Sequence, residues 1–241
     1  MSVDTAVILC AGLGKRMRPL TQDCPKPLVS VQGAPILGHI LARLRRAGIT
    51  RFVVNAHYLA EQVEAYMANV PGAVVVREDQ LLDTGGSVVN LRARGLLPDS
   101  PFFIVNGDAY WVDGPTPSLP RMLKRFSPER QDALLLLARA AGTGSETGQG
   151  DFIWPRGEGL RRRAEREVAP YMYAGVQLVA PSFFDGAPDG PFSLNLLWDK
   201  AIAAGRLGAI VHDGVWFHLS TPEDIALAEA VVEAREVGNT T

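Results

Sequence analysis

Cysteine is nearly absent: Cys10 and Cys24 are the only two in 241 residues. Two thiols make no disulfide framework in a chain of this length, and a reducing cytoplasm is the expected setting. A basic excess is missing as well. Twenty-four Lys and Arg stand against 26 Asp and Glu, a formal net charge of -2, which argues against a general nucleic-acid binder, so any anion site must be local. No apolar run reaches the length that crosses a bilayer, and the first ten residues, Asp4 among them, lack the basic start and apolar core of a signal peptide. No membrane partner is expected. There is no internal repeat and no linker strong enough to split the chain, so one domain over 1–241 is expected, with 47% hydrophobic residues to fill its core.

What is present is an alternation. Residues 6–9 read as a short buried strand, then Ile36, Leu37, Ile40, Leu41 and Leu44 mark one apolar face of a helix that Gly48 ends. A strand at 52–55, a helix at 59–67, a strand at 73–76, a helix at 86–94 and a strand at 102–105 follow. This pace implies βαβ units, hence an α/β fold with a mostly parallel central sheet that binds ligands at the carboxyl ends of its strands. The second half is looser. Residues 113–120 are rich in Pro and Gly, 131–138 form an apolar strand candidate, and 141–150 read as a flexible loop with four glycines. The charged run 161–167 reads as a solvated surface segment, 171–179 as a strand. Two helices close the chain, from about 193 and from Pro222, the second opened by Thr221 with Asp224 three residues on, a capping-box arrangement.

The chemistry is concentrated in LCAGLGKRMRPLTQDCPKPLV, residues 9–29, where glycines and cations follow the first strand. A phosphate-binding P-loop needs a glycine where Leu9 stands and Ser or Thr where Arg16 stands; a dinucleotide fingerprint needs a third glycine where Met17 stands. Neither fits. The spacing Gly12-x-Gly14-x-Arg16, then Arg18-Pro19-Leu20 and Lys26-Pro27-Leu28, resembles the signature of the sugar-phosphate nucleotidyltransferases. Physically, glycines let backbone N–H groups approach a triphosphate, while a guanidinium and an ammonium neutralise reacting phosphates.

That resemblance covers nearly the whole chain. It implies a Rossmann-like fold with a nucleotide-binding half at 1–112 and a sugar-phosphate-binding half at 113–241. It implies that Ala11, Gly12, Gly14, Lys15, Arg16 and Asn106 hold a nucleoside triphosphate, and that Glu78, Thr84, Gly85 and Gly86 of EDQLLDTGGSV face the nucleobase. Arg16, Lys26 and Asp108 would be catalytic, with Asp108 of FFIVNGDAYW binding Mg²⁺ as cofactor. A narrower likeness, carried by GQGDF at 148–152, YAGVQLVAPSFFDG at 173–186 and FSLNLLWDKAIAAGRLGAI at 192–210, is to the N-acetylmuramate 1-phosphate uridylyltransferase group. On that likeness Gly150, Asp151 and Gly175 line the sugar pocket, UTP is the nucleotide, and peptidoglycan recycling is the setting.

One position departs from the pattern. Relatives that read Trp-x-Asp-x-Gly-Thr place a second Mg²⁺ carboxylate where this chain has His218, in WFHLST. His218 ligates the metal, contacts a metal-bound water or phosphate, or is structural; His39 lies on the first helix, and His57 and His212 have no evident partner. Three function classes stay open. A nucleotidyltransferase acts on UTP with a hexosamine 1-phosphate or, as a variant, adds GMP to mannose or heptose 1-phosphate. A glycosyltransferase would need Asp-x-Asp, but Ala109 and Tyr110 follow Asp108. A non-catalytic nucleotide-sugar sensor is suggested by His218 and opposed by Arg16, Lys26 and Asp108.

Overall fold

The apolar run at the N-terminus becomes the middle of a sheet. In the computed structural model, which describes residues 3–142, 149–155 and 158–238, β1 (Thr5–Cys10) pairs in parallel with β4 (Arg51–Ala56) on one side and with β6 (Phe102–Asn106) on the other. Beyond β4 lies β5 (Ala73–Arg77), also parallel. Right-handed crossovers of this kind need helices, and α1 (Ile36–Arg46), α2 (Ala60–Met67) and α3 (Asp83–Ala93) supply them. The short hairpin β2 (Ser30–Val31) and β3 (Ala34–Pro35) precedes α1.

The second half adds β7 (Tyr110–Val112), α4 (Ser118–Arg125), β8 (Ala133–Arg139), β9 (Phe152–Ile153), β10 (Arg161–Arg162), β11 (Tyr171–Val179), α5 (Asn195–Ala203), β12 (Leu207–Val211), β13 (Val215–Phe217) and α6 (Pro222–Gly238). β11 runs antiparallel to β6 and joins the two halves into one nine-stranded sheet. One edge of β11 pairs with β8; the other pairs with β6 through residues 176–179 and with β9 at Tyr171. Residues 172–175 therefore have no strand beside them on that second edge. This gap, at the carboxyl end of β6, is where ligands of such sheets belong.

Alternating side chains divide the core. Ala6 and Ile8 of β1 pack with α1, α2, α4 and α6, whereas Val7 packs with α3 and α5. All five apolar positions of the predicted α1 face are buried, each contributing roughly 1.5–3 kcal/mol of transfer free energy. Gly48, with φ +87°, follows the helix as expected. The capping box also forms: the Thr221 N–H donates to Asp224 Oδ2 at 2.8 Å, and the Asp224 N–H to Thr221 Oγ1 at 3.4 Å.

Two readings change. Residues 113–120, rich in Pro and Gly and given no element above, contain the start of α4, because Pro120 falls in the first turn, where a missing N–H breaks no intrahelical bond, and Leu119 and Met122 are buried. Helix α3 begins at Asp83, three residues before the expected 86. Its glycines are required by packing, not by a turn. A Cβ at Gly85 would lie 2.3 Å from the Phe192 ring, and one at Gly86 2.3 Å from the Gly190 carbonyl oxygen. Gly86→Ala is expected to lower stability by about 1–3 kcal/mol in urea titration, since backbone cannot yield as a side-chain tip does. The loop read at 141–150 falls mainly on residues 143–148, outside the described residues. No helix among the described residues is long and apolar enough to cross a membrane.

Candidate active site

The motif after β1 is shaped by its own backbone. Gly14 takes φ +60°, its carbonyl accepts the Thr21 hydroxyl at 2.7 Å, and Met17 is fully buried, so Lys15 and Arg16 stay exposed on a short turn. A Cβ at Gly14 would also meet Thr21 at 3.1 Å. Further along, Pro25 and Pro27 flank Lys26, which reaches across to β6 and meets Asp108: Nζ to Oδ2 is 2.6 Å. Lys26 is 13% exposed and Asp108 44%. The ion pair joins positions 82 residues apart in sequence.

Three cavities meet at Asp108, and Lys26 borders two of them. The first, about 440 Å³, is lined by Ala11, Gly12, Lys26, Glu78, Thr84 and Asn106, among others, and by Asp108. The second, about 320 Å³, is lined by residues 12–17 with Lys26, Asp108 and Ser220. The third, about 470 Å³, occupies the gap beside β11 and is lined by Asp108, Asn106, Asp151, Tyr173, Gly175 and His218, among others. Asp108 borders all three, and a larger cavity of about 640 Å³ near His212 and Arg121 borders none of these residues.

Most of the expected nucleotide residues thus line the first two cavities, but Gly85 and Gly86 do not line any of the three. Both are buried, and their N–H groups donate to the Phe192 carbonyl, at 2.8 and 3.2 Å. Glu78 is 4% exposed. Its Oε1 accepts the Asn55 amide at 3.0 Å, while Oε2 is shielded from solvent with no partner. Asn55 was not legible as a site residue. It also accepts the Cys10 N–H at 2.8 Å and donates to Ser87 Oγ at 3.0 Å, holding the end of β1, β5 and α3 in register. A polar residue inside an apolar strand run is the sequence signal that could have found it.

In the third cavity Asp151 and Gly175 are present and Gly150 is not a lining residue. Gly150 serves backbone geometry: φ is +62°, and a Cβ would lie 2.1 Å from the Ala169 carbonyl oxygen. Gly175 sits at a β-bulge between Tyr173 and Gln177, with φ +78° and Ala109 2.9 Å from where its Cβ would be. Asp151 Oδ2 accepts the Tyr173 N–H at 2.9 Å. Trp198 and Trp216 commit their indole N–H groups to Gln177 Oε1 and the Ala174 carbonyl, which leaves ring surface for the cavity. The charged run 161–167 is not only solvated surface, because Arg162, Arg163 and Glu165 line this cavity. Burial and the charge of Asp108 push the Tyr173 phenol upward.

His218 borders the third cavity, with Nε2 2.7 Å from Ser220 Oγ. Burial, then the Lys26 ammonium, hold its pKa below the usual histidine range. No group of three His, Cys, Asp or Glu among the described residues could hold a metal by itself. The other histidines have structural partners: His39 with the Val31 carbonyl, His57 with the Glu78 carbonyl, and His212 with Ser118. Cys10 and Cys24 are free thiols.

Separate cavities that share Asp108, with Lys26 paired to it, suit group transfer between two bound molecules. The model of the MobA-like NTP transferase domain matches residues 6–165. The chain is 36% identical to N-acetylmuramate alpha-1-phosphate uridylyltransferase of Caulobacter vibrioides, covering 93% of this chain and 95% of that protein. The protein of the same name from Neisseria meningitidis serogroup B is 31% identical, over 95% and 98%. UDP-glucose pyrophosphorylase complexed with UDP-glucose shares the fold, with a TM-score of 0.79 at 13% identity, over 97% of this chain and 100% of that one. The chain belongs to the MobA-like NTP transferase family, as a sugar 1-phosphate nucleotidyltransferase.

Proposed function

We propose that this protein transfers UMP from UTP to N-acetylmuramate 1-phosphate, releasing pyrophosphate and forming the UDP-sugar. The observation that carries this reading is the convergence of three cavities on Asp108, whose ion-pair partner Lys26 borders two of them. Its specific substrates follow from the two relatives of that name, matched over almost their full length. The base occupies the first cavity, where the free Glu78 oxygen accepts a ring N–H; uracil and guanine both carry one, so this contact alone does not choose between them. The triphosphate lies along residues 12–16 and the sugar phosphate lies in the gap beside β11. Residues 1–112 are accordingly the nucleotide half and 113–241 the sugar half.

The chemical difficulty is repulsion. With a second pKa near 6, a sugar phosphate is already mostly ionised at neutral pH and needs no general base. Like charges brought to contact distance oppose each other by about 4 kcal/mol per pair at a surface-like dielectric. Lys26 draws the attacking phosphate oxygen toward the α-phosphorus, and Arg16 stabilises the departing pyrophosphate, so the residues act by position and charge.

Asp108 fits a divalent cation. One of its oxygens meets Lys26, its side chain is exposed to all three cavities, and one carboxylate plus substrate phosphate oxygens is how Mg²⁺ is commonly held. Mg²⁺ supplies neutralising charge for phosphate oxygens when bound. His218 is the second ligand candidate, with Nδ1 as the nitrogen left by the Ser220 contact. A matrix of nucleoside triphosphates against sugar 1-phosphates, scored by product mass, tests the assignment. UTP with N-acetylmuramate 1-phosphate is expected to give the highest kcat/KM; greater turnover of GTP with mannose 1-phosphate would replace it with the guanylyl reading.

A further inference from the structure

The third cavity is built between two differently charged ends. At one end stands Asp108, just past β6. At the other stand Arg162, paired in register with Phe152 of β9, and Arg163, whose N–H donates to the Asp151 carbonyl at 2.9 Å. The register fixes the width of the gap between them: β6 reaches Val176 of β11 and β9 reaches Tyr171, five residues apart, roughly 15 Å along a strand. A hexose 1-phosphate held by its phosphate at the Asp108 end extends toward the arginines.

The charges at that far end are not equivalent. Arg162 is neutralised by Asp199 of α5, Nη1 to Oδ2 3.0 Å, and Arg161 is held by Glu167 at 2.6 Å. Arg163 is half-buried and borders the cavity, yet among the described residues it has no carboxylate partner. Among the described residues its guanidinium makes two long bonds, 3.3 Å each, to the carbonyls of Ala164 and Glu165. Of the cavity's carboxylates, Asp151 is tied to the Tyr173 N–H, Asp108 to Lys26, and Glu165 is exposed to solvent. Arg163 borders the cavity and its guanidinium has unused donors, which match a planar carboxylate that a guanidinium can grip bidentately.

We infer that Arg163 is a specificity residue that binds a carboxylate on the sugar itself, at the end remote from the anomeric phosphate. The inference rests on the nucleotidyl-transfer reading and deepens it: the substrate class is a hexose 1-phosphate with an acidic substituent. Trp198 and Trp216 line the cavity between its two ends.

The test compares N-acetylmuramate 1-phosphate with N-acetylglucosamine 1-phosphate, which lacks the carboxylate-bearing ether, both with UTP and read by pyrophosphate release. In Arg163→Ala the ratio of the two kcat/KM values is expected to fall about 10- to 100-fold, the size of one charge-assisted hydrogen-bonding group. The loss should lie in KM for the acidic sugar. Arg163→Lys should recover part of the ratio, and a thermal midpoint near that of the unsubstituted protein shows folding is intact. An unchanged ratio, or equal losses on both sugars, overturns the inference while leaving nucleotidyl transfer standing. No pyrophosphate release from any sugar 1-phosphate by the unsubstituted protein overturns both.

Discussion

Asp108→Asn is expected to reduce turnover by at least about 10³-fold, with the thermal midpoint little changed. The substitution keeps shape and removes charge at the point where all three cavities meet. A neutral amide is a poor ligand for a hard dication that must also share phosphate oxygens. The ion pair it breaks is nearly half exposed on the Asp108 side, so the stability lost is about 1 kcal/mol or less. Pyrophosphate release and a melting curve on one preparation check both parts. Turnover within tenfold of normal would remove Asp108 from the mechanism.

Lys26→Ala is the second large effect. Its ammonium is held in a narrow slot, 13% exposed, between the flanking prolines and Asp108. On the proposed reading Lys26 acts on the reacting phosphates, and its ion pair is with Asp108, whereas Glu78 is bonded to Asn55. The expected outcome is a fall in kcat of about 10²- to 10³-fold, while the KM for UTP moves only a few-fold. Lys26→Arg should not restore the rate, because a planar fork does not occupy the place of a compact point charge. Kinetics indistinguishable from the unsubstituted protein would dismiss the assignment.

What was legible in the sequence is what local physics dictates. The glycine and cation spacing at 12–26 stood out because the residues that carry the family resemblance lie close together in one short segment. Strands β1, β4, β5 and β6 could be read because buried parallel strands are apolar runs bounded by loops. The remainder depends on contacts between distant segments. Asn55 gains its meaning only when β4 lies beside β1 and α3 covers both. Gly85 and Gly86 look like turn formers, yet their neighbours are Phe192 and Gly190, about a hundred residues away. The Arg162–Arg163 pair looks like solvated surface until the β9–β10 hairpin continues the line of β6 along β11. Helix α4 was hidden by prolines that are harmless in a first turn.

The most direct measurement is the position of a nucleoside triphosphate in a crystal of the protein grown with UTP. The account expects the base between Gly12 and Glu78, the triphosphate along residues 12–16, and the α-phosphate at the Lys26–Asp108 corner. A triphosphate seated outside these cavities, with that corner left bare, would contradict it.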